Sequence, residues 1–332
     1  MVMGLSIKDQ VVASKIVAID GSGQFTDIQS AMDDLPAGGG VVYIKEGTYT
    51  ISTPISFPYD NIRLEGAGNA TKIYLANGSN CDCITTNDKD GITIMNLEID
   101  GNQDNNDEEV SYGIYGTNAS DRLSINHCYI HQCYYAGIYF YGVNANISDN
   151  FIEYCNDNKI TFFGGGIFIY GSGYININSN QVSHCGYNGI GCYGGYGLLS
   201  ITGNILNDND HYGIMVSTGT IATITGNLIA YNGYHGITCF GSNQTITGNF
   251  FRYNSNGNNN IWSDVIIQGA RINNVISGNR FFASDEKYCV EEKIDSGTPN
   301  YNLIVGNVLT GAVTANIFVV GANTLSANNV DH

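Results

Sequence analysis

Two short steps recur along most of this chain, and together they leave few folds open. A Gly-Ile step falls at Gly113-Ile114, Gly137-Ile138, Gly166-Ile167, Gly189-Ile190, Gly213-Ile214 and Gly236-Ile237. An Ile-x-x-Asn step runs alongside it, ending at Asn150, Asn180, Asn204, Asn227, Asn249 and Asn279, with weaker copies ending at Asn307 and Asn328. The spacing is 22 to 24 residues where no loop intervenes and 28 to 30 where one does. A period of that size marks a solenoid, because one unit cannot bury its own apolar face and must stack on its neighbours.

Within each unit, Gly and Asn punctuate short segments in which Ile, Val and Phe alternate at period two, so each unit reads as three short strands joined by turns. Stacking would set equivalent side chains in ladders. Ile125, Ile147, Ile177, Ile201, Ile224 and Ile246 form an inward one. The Asn column suits a turn position that tolerates left-handed geometry and can hydrogen-bond to the next coil. A further column, Cys133, Cys155, Cys185, Asn209, Asn232 and Asn254, reads as stacked core residues and not as a redox site. The exposed first edge needs a cap. Phe25–Leu35 supplies one, with capping-box spacing in Thr26-Asp27-Ile28-Gln29 and an apolar stripe of Ile28, Ala31, Met32 and Leu35. The sequence thus predicts an all-β, single-stranded, right-handed parallel β-helix of about ten coils with an N-terminal capping helix. Residues 1–40 are the N-terminal segment and cap, and residues 41–332 the solenoid.

Composition narrows the partners. The net charge of −17 disfavours nucleic acid and anionic membrane surfaces. No stretch approaches the ~20 apolar residues of a membrane helix, and the first residues show no signal-peptide pattern. Between Leu123 and Phe251 the only Lys or Arg is Lys159, against five acidic residues. The C-terminus shows no cap, which suits docking of a second subunit.

The opening, Ile16-Val-Ala-Ile-Asp-Gly-Ser-Gly-Gln-Phe-Thr-Asp-Ile-Gln-Ser-Ala31 through Tyr43-Ile-Lys-Glu-Gly-Thr-Tyr49, resembles pectin methylesterases and the wider pectate-lyase-like β-helix superfamily, and Asn61–Gly68 continues that likeness. The segments that hold the catalytic Asp and Arg residues of pectin methylesterases do not occur. Ile99-Asp-Gly-Asn-Gln103 resembles a Leu-Asp-Gly-Asn-Arg-type segment of alginate C5-epimerase modules. That family's Tyr-Gly-Phe-Asp-Pro-His site, one coil later, corresponds to Ala136–Tyr141, with Tyr139 in the Asp slot and Tyr141 in the His slot. The polygalacturonase-type Asp-Asp pair is also missing.

Alternation then assigns faces. If Ile138 and Phe140 point inward, Tyr139 points outward, in a ladder of Tyr115, Tyr139, Phe168, Gly191, Met215 and Thr238. Tyr112, Tyr135, Tyr187, Tyr212 and Tyr234 lie just before the Gly-Ile steps. Aromatic rings along a groove suit stacking on apolar sugar faces. Hence Tyr115, Tyr135, Tyr139, Tyr141, Tyr187, Tyr212 and Tyr234 are candidate substrate-binding residues, although Tyr is also simply a good strand residue. Asp210, His211 and His235 are the best acid/base constellation, the two His being diagonal neighbours on adjacent coils, and a His paired with a carboxylate titrates near neutrality. His184 and Asp208 share a second slot. Asp100, Asp104 and Asp107 place oxygens at alternate positions, as calcium loops do, without the Gly and Glu of an EF-hand. No other cofactor is indicated. The expectation is a protein that binds, and could cleave by lyase or hydrolase chemistry, a neutral or weakly charged polysaccharide. The alternative is a non-enzymatic adhesion or receptor-binding solenoid. Either would work outside a cell or on a virion.

Overall fold

The computed structural model describes residues 15–106, 111–117, 120–156, 164–194, 197–256, 261–284 and 286–331. Asp107 lies outside them. Every strand pairing among the described residues is parallel, and the strands line three faces, of which the second and third belong to one 23-stranded sheet. The Gly-Ile steps build the first face, an 11-stranded sheet that includes Tyr112–Gly116, Ala136–Phe140, Gly165–Ile169, Asn188–Cys192 and Ile237–Cys239. The Ile-x-x-Asn steps build the second, including Ala145–Ser148, Tyr174–Asn178 and Leu198–Thr202. Short strands such as Tyr129–His131, Phe151–Glu153, Phe250–Arg252 and Arg280–Phe282 build the third. Ile55–Ser56, Ile84–Thr85, Val265–Gln268, Val290–Lys293 and Ile317–Phe318 join the first face without its Gly-Ile signature.

The predicted Ile ladder is in register: Ile125, Ile147, Ile177, Ile201, Ile224 and Ile246 are paired coil to coil and fully buried. Burying such a side chain stabilises by roughly 1.5–3 kcal/mol, so these stacked columns are the main apolar gain. Cys133, Cys155 and Cys185 also lie inside, each Sγ 3.4 Å from the carbonyl two residues earlier, and all nine cysteines are free thiols.

The Asn column is a hydrogen-bonded ladder. Asn204 Nδ2 donates to Asn227 Oδ1 (3.0 Å), Asn227 Nδ2 to Asn249 Oδ1 (2.9 Å), and so on through Asn279 and Asn307. The same Oδ1 atoms accept from the backbone N–H of the preceding Asn. The left-handed residue is the one before the Asn, not the Asn itself: Asp149, Ser179, Gly203, Gly226, Gly248 and Gly278 have φ between 57° and 67°. The Asn stays in ordinary geometry, so its side chain can point into the coil. The last copy is likewise displaced by one, with Asn328 left-handed and Asn329 in the ladder. Two parallel columns behave alike and end on buried carboxyls. Asn209, Asn232 and Asn254 finish on Asp264 Oδ1 (2.7 Å), and Gln244, Asn274 and Asn302 finish on Glu292 Oε1 (2.8 Å). Glu292 accepts three further bonds, from Val320 and Gly321 N–H and from Thr324 Oγ1.

A helix at Ile28–Asp33 covers the first edge, and Ile28, Ala31, Met32 and Leu35 are buried as the stripe predicts. Its N-cap is Asp27, one residue later than the capping box implies: Asp27 Oδ1 accepts from Ser30 N–H at 2.7 Å. Gln29 is thereby free to bond both backbone groups of Ser56 (2.8 and 2.9 Å), stitching cap to coil. A strand at Lys15–Val17, inside the segment assigned to the cap, adds to Gly40–Ile44.

If the ladder is the main polar tie between coils, Asn227→Ala will lower the unfolding free energy by about 2–4 kcal/mol. The outward, exposed Asn176 replaced by Ala will cost less than about 0.5 kcal/mol. Urea titrations of both variants check this, and equal losses would contradict it.

Candidate functional site

The outward positions of the first face carry an aromatic run that crosses many coils. Tyr115, Tyr139 and Phe168 are aligned by strand register. Tyr139 stacks on Phe168 at 4.9 Å and 8°, and Tyr112 packs against Tyr115, Tyr135 and Tyr139 at 4.7–5.2 Å. The next ladder slot is Gly191, and its emptiness is used. A Cβ there would come within 2.9 Å of the Tyr193 ring, which folds back over the slot and stacks on Phe168 at 4.7 Å. Tyr187 stacks on His211 (4.3 Å, 14°), His211 packs on Tyr234 (4.0 Å), and Tyr234 stacks on Trp262 (4.5 Å). Tyr141 pairs with Tyr170 at the adjoining corner, 5.0 Å apart. Of the sequence candidates, Tyr115, Tyr135, Tyr139, Tyr141, Tyr187, Tyr212 and Tyr234 are all partly exposed. Phe168, Met215 and Thr238 of the ladder itself are covered.

Tyr193, Trp262 and Asn188 were not among the sequence candidates. The two aromatics come from turns, where the repeat gives no register. The signal for Tyr193 was the Gly in an otherwise bulky outward ladder. Asn188 is fully buried and donates from Nδ2 to Tyr193 Oη (3.0 Å) while its Oδ1 lies 3.1 Å from His211 Nδ1.

That last contact changes the expected acid/base group. The structure does bring His211 and His235 together diagonally, His211 facing Tyr234 and Tyr212 facing His235. The Nδ1 partner of His211, however, is the Asn188 amide, not the carboxylate of Asp210, which is exposed. An amide oxygen only accepts, so His211 holds its proton on Nδ1. With no counter-charge to offset burial, its pKa is pushed down to about 4. His235 is buried, its Nδ1 is 2.9 Å from Ser263 N, and burial pushes it down to about 3. Both imidazoles are neutral at neutral pH, where a carboxylate-paired His would be poised to titrate. His184 and Asp208 share the expected slot, both left-handed, but His184 stacks on Tyr154 (5.0 Å) and Asp208 accepts from Asn207 (2.6 Å).

The group with the most useful proton affinity is Asp82, at the N-terminal end of the aromatic run. It accepts from Tyr112 N–H (2.9 Å), and burial raises its pKa to about 6. Burial raises the pKa of Tyr112 and Tyr115, and the Asp82 charge adds to it.

The calcium-like segment is organised differently from its sequence pattern. Asp104 is exposed on a single turn, whereas Asp100 joins Glu98 and His131 on the third face, close enough for the three to chelate one cation. The Lys72 ammonium already bridges both carboxylates, at 2.6 Å from Glu98 and 3.1 Å from Asp100, and His131 Nε2 lies 3.0 Å from Glu98. Asp100 Oδ1 is taken by Asn102 N–H. Of the two described candidates, Asp100 is thus engaged by Lys72 and Asn102, and Asp104 is exposed.

Similar solved structures share this architecture. The A-module of the Azotobacter vinelandii mannuronan C-5 epimerase AlgE6 superposes with a TM-score of 0.66 at 18% identity, covering 95% of this chain and 99% of its own. Tailspike protein 2 of the Escherichia coli O157:H7 bacteriophage CAB120 gives 0.67 at 14% identity, over 93% of this chain and 46% of the tailspike. A mutant of the DFA-IIIase of Arthrobacter chlorophenolicus A6, in complex with DFA-III, gives 0.57 at 16% identity, over 92% of this chain and 79% of its own. At these identities the likeness is one of fold. No curated protein matches by sequence. The family described as "Right handed beta helix region" matches residues 82–251, just over half of the 332, and the chain belongs to that family.

Proposed function

We propose that this protein binds a polysaccharide along the aromatic run of its first face. The observation that carries the reading is the continuity of that run, with ring centroids 4.0–5.5 Å apart from Tyr115 to Phe168 and from Tyr187 to Trp262. Ring faces take the apolar sides of sugars, and the phenol tips and the bare Nε2 of His211 accept or donate to hydroxyls. The first-face strands from Tyr112–Gly116 to Ile237–Cys239 carry no Lys or Arg, and Lys287 and Lys293 act only at the C-terminal end, near His235, which favours a neutral or weakly charged chain. By their names, one structural neighbour is a mannuronan epimerase and another was seen with DFA-III, which supports a carbohydrate ligand. On this reading the protein works outside a cell or on a virion. A glycan array should show a polysaccharide ligand, and the Tyr139→Ala, Tyr187→Ala double variant should bind it about tenfold more weakly or worse, each ring contributing about 0.5–1.5 kcal/mol. An array blank for the wild type would end the proposal.

One observation favours cleavage as well as binding. Asp82, with its pKa near 6, can be protonated or ionised close to neutrality beside Tyr112 and Tyr115. Asp210, His211 and His235 supply no comparable pair, although His211 could accept a proton through Nε2. If the bound polysaccharide is cut, reducing ends or unsaturated products should appear, and Asp82→Asn should lower the rate at least about a hundredfold with binding retained. If binding is tight and no product forms, the adhesion-type alternative holds.

The neutral imidazoles have a measurable consequence. Unfolded His binds a proton near pH 6.5, whereas folded His235 resists until about pH 3. The unfolded state therefore takes up more protons in that window, and this group's contribution to stability falls as pH drops through it. His235→Gln should flatten the acid side of the thermal-stability profile relative to wild type, and identical slopes would contradict the assignment.

A further inference from the structure

The third face carries a second, chemically different surface. Along Phe250–Arg252 and Arg280–Phe282, alternation turns Phe250 and Arg252 outward on one coil and Arg280 and Phe282 outward on the next. Register sets Arg280 against Phe250 and Phe282 against Arg252. The result is a checkerboard of guanidinium and ring. Arg280 Cζ is 5.6 Å from the Phe250 ring. Arg252 Cζ is 4.8 Å from Tyr253, 5.8 Å from Tyr231 and 5.9 Å from Phe282. Both arginines are exposed, and among the described residues neither is in an ion pair.

In a chain with 30 acidic residues and only 13 Lys and Arg, two adjacent arginines without a carboxylate partner are unexpected. Each guanidinium lies within about 6 Å of a ring centroid and is exposed, and an exposed guanidinium can pair its planar N–H edge with a carboxylate bidentately. The rings beside it offer the apolar surface that a pyranose face stacks on. We propose that Arg252 and Arg280, with Phe250, Tyr253 and Phe282, bind a carboxylate-bearing sugar unit. This site lies on a different face from the aromatic run, and it needs the opposite ligand chemistry. The coils from Leu123 to Phe251 have almost no cations, and Arg252 is the first residue past them.

The test uses the full chain and a panel of galacturonate, glucuronate, mannuronate and guluronate oligosaccharides, each beside its carboxyl-reduced counterpart, with dextran sulfate as a further arm. Titration calorimetry should find at least one uronate bound, with its reduced form at least tenfold weaker. Arg252→Gln, Arg280→Gln should lose that affinity at least tenfold while keeping the wild-type melting temperature within a few degrees. Arg252→Lys, Arg280→Lys should recover only part of it, because a point charge replaces a fork. Tyr139→Ala, Tyr187→Ala should leave it unchanged, which separates this site from the first-face proposal. Failure of every uronate to bind, equal binding of acidic and reduced forms, or tighter binding of dextran sulfate than of any uronate would overturn the inference.

Discussion

The side-chain amide ladders are the interaction on which the rest of this structure depends. Strand hydrogen bonds tie coils together along the flat faces, but a solenoid must also satisfy the backbone where each coil turns a corner. Asn150, Asn180, Asn204, Asn227, Asn249 and Asn279 do so by accepting the preceding coil's N–H and donating to the next amide and to a carbonyl on the neighbouring coil. A buried group left unmade there would cost about 1–3 kcal/mol, at every coil. With corners closed, the Ile ladders can pack in register.

A fixed interior leaves the outward positions free to vary, and the two candidate sites use that freedom in opposite ways. On the first face, rings fill outward slots, one slot is vacated at Gly191 so that Tyr193 can enter, and neutral imidazoles are held between tyrosines. Burial without a counter-charge keeps His211 and His235 uncharged. On the third face the same alternation leaves two guanidinium groups in the open. One backbone geometry thus presents an uncharged aromatic surface on one side and a cationic one on another.

The fold was largely legible because its signals repeat. Gly-Ile and Ile-x-x-Asn steps set register, and the Ile ladder and cap stripe lie where period and stripe put them. Errors of one residue arose at corners. The left-handed position belongs to Gly203 or Asp149 and not to the following Asn, and the cap is Asp27 and not Thr26. Period alone cannot distinguish neighbours at a turn. The candidate site was less legible. Tyr193 and Trp262 come from turns of irregular length, and Asn188 takes the place expected for Asp210 at His211. Glu98 and Asp100 meet Lys72 from one neighbouring coil and His131 from another. Contacts between unlike positions of different coils leave no periodic trace.

The amide ladders all run one way. In the amide–amide bonds each Asn donates to the next Asn toward the C-terminus and accepts from the one before, while its second N–H returns to a carbonyl of the preceding coil, so the row of amide–amide bonds points along the axis in one sense. The donor end of such a row is electropositive, and two of the rows finish on the carboxyls of Asp264 and Glu292. Burial, with the neighbouring Glu286, pushes the Asp264 carboxyl well above the usual carboxylate range, while Glu292 meets four donors. The solenoid therefore has an electrical polarity as well as a chain direction. The coils bearing the two acids are the ones that close these rows.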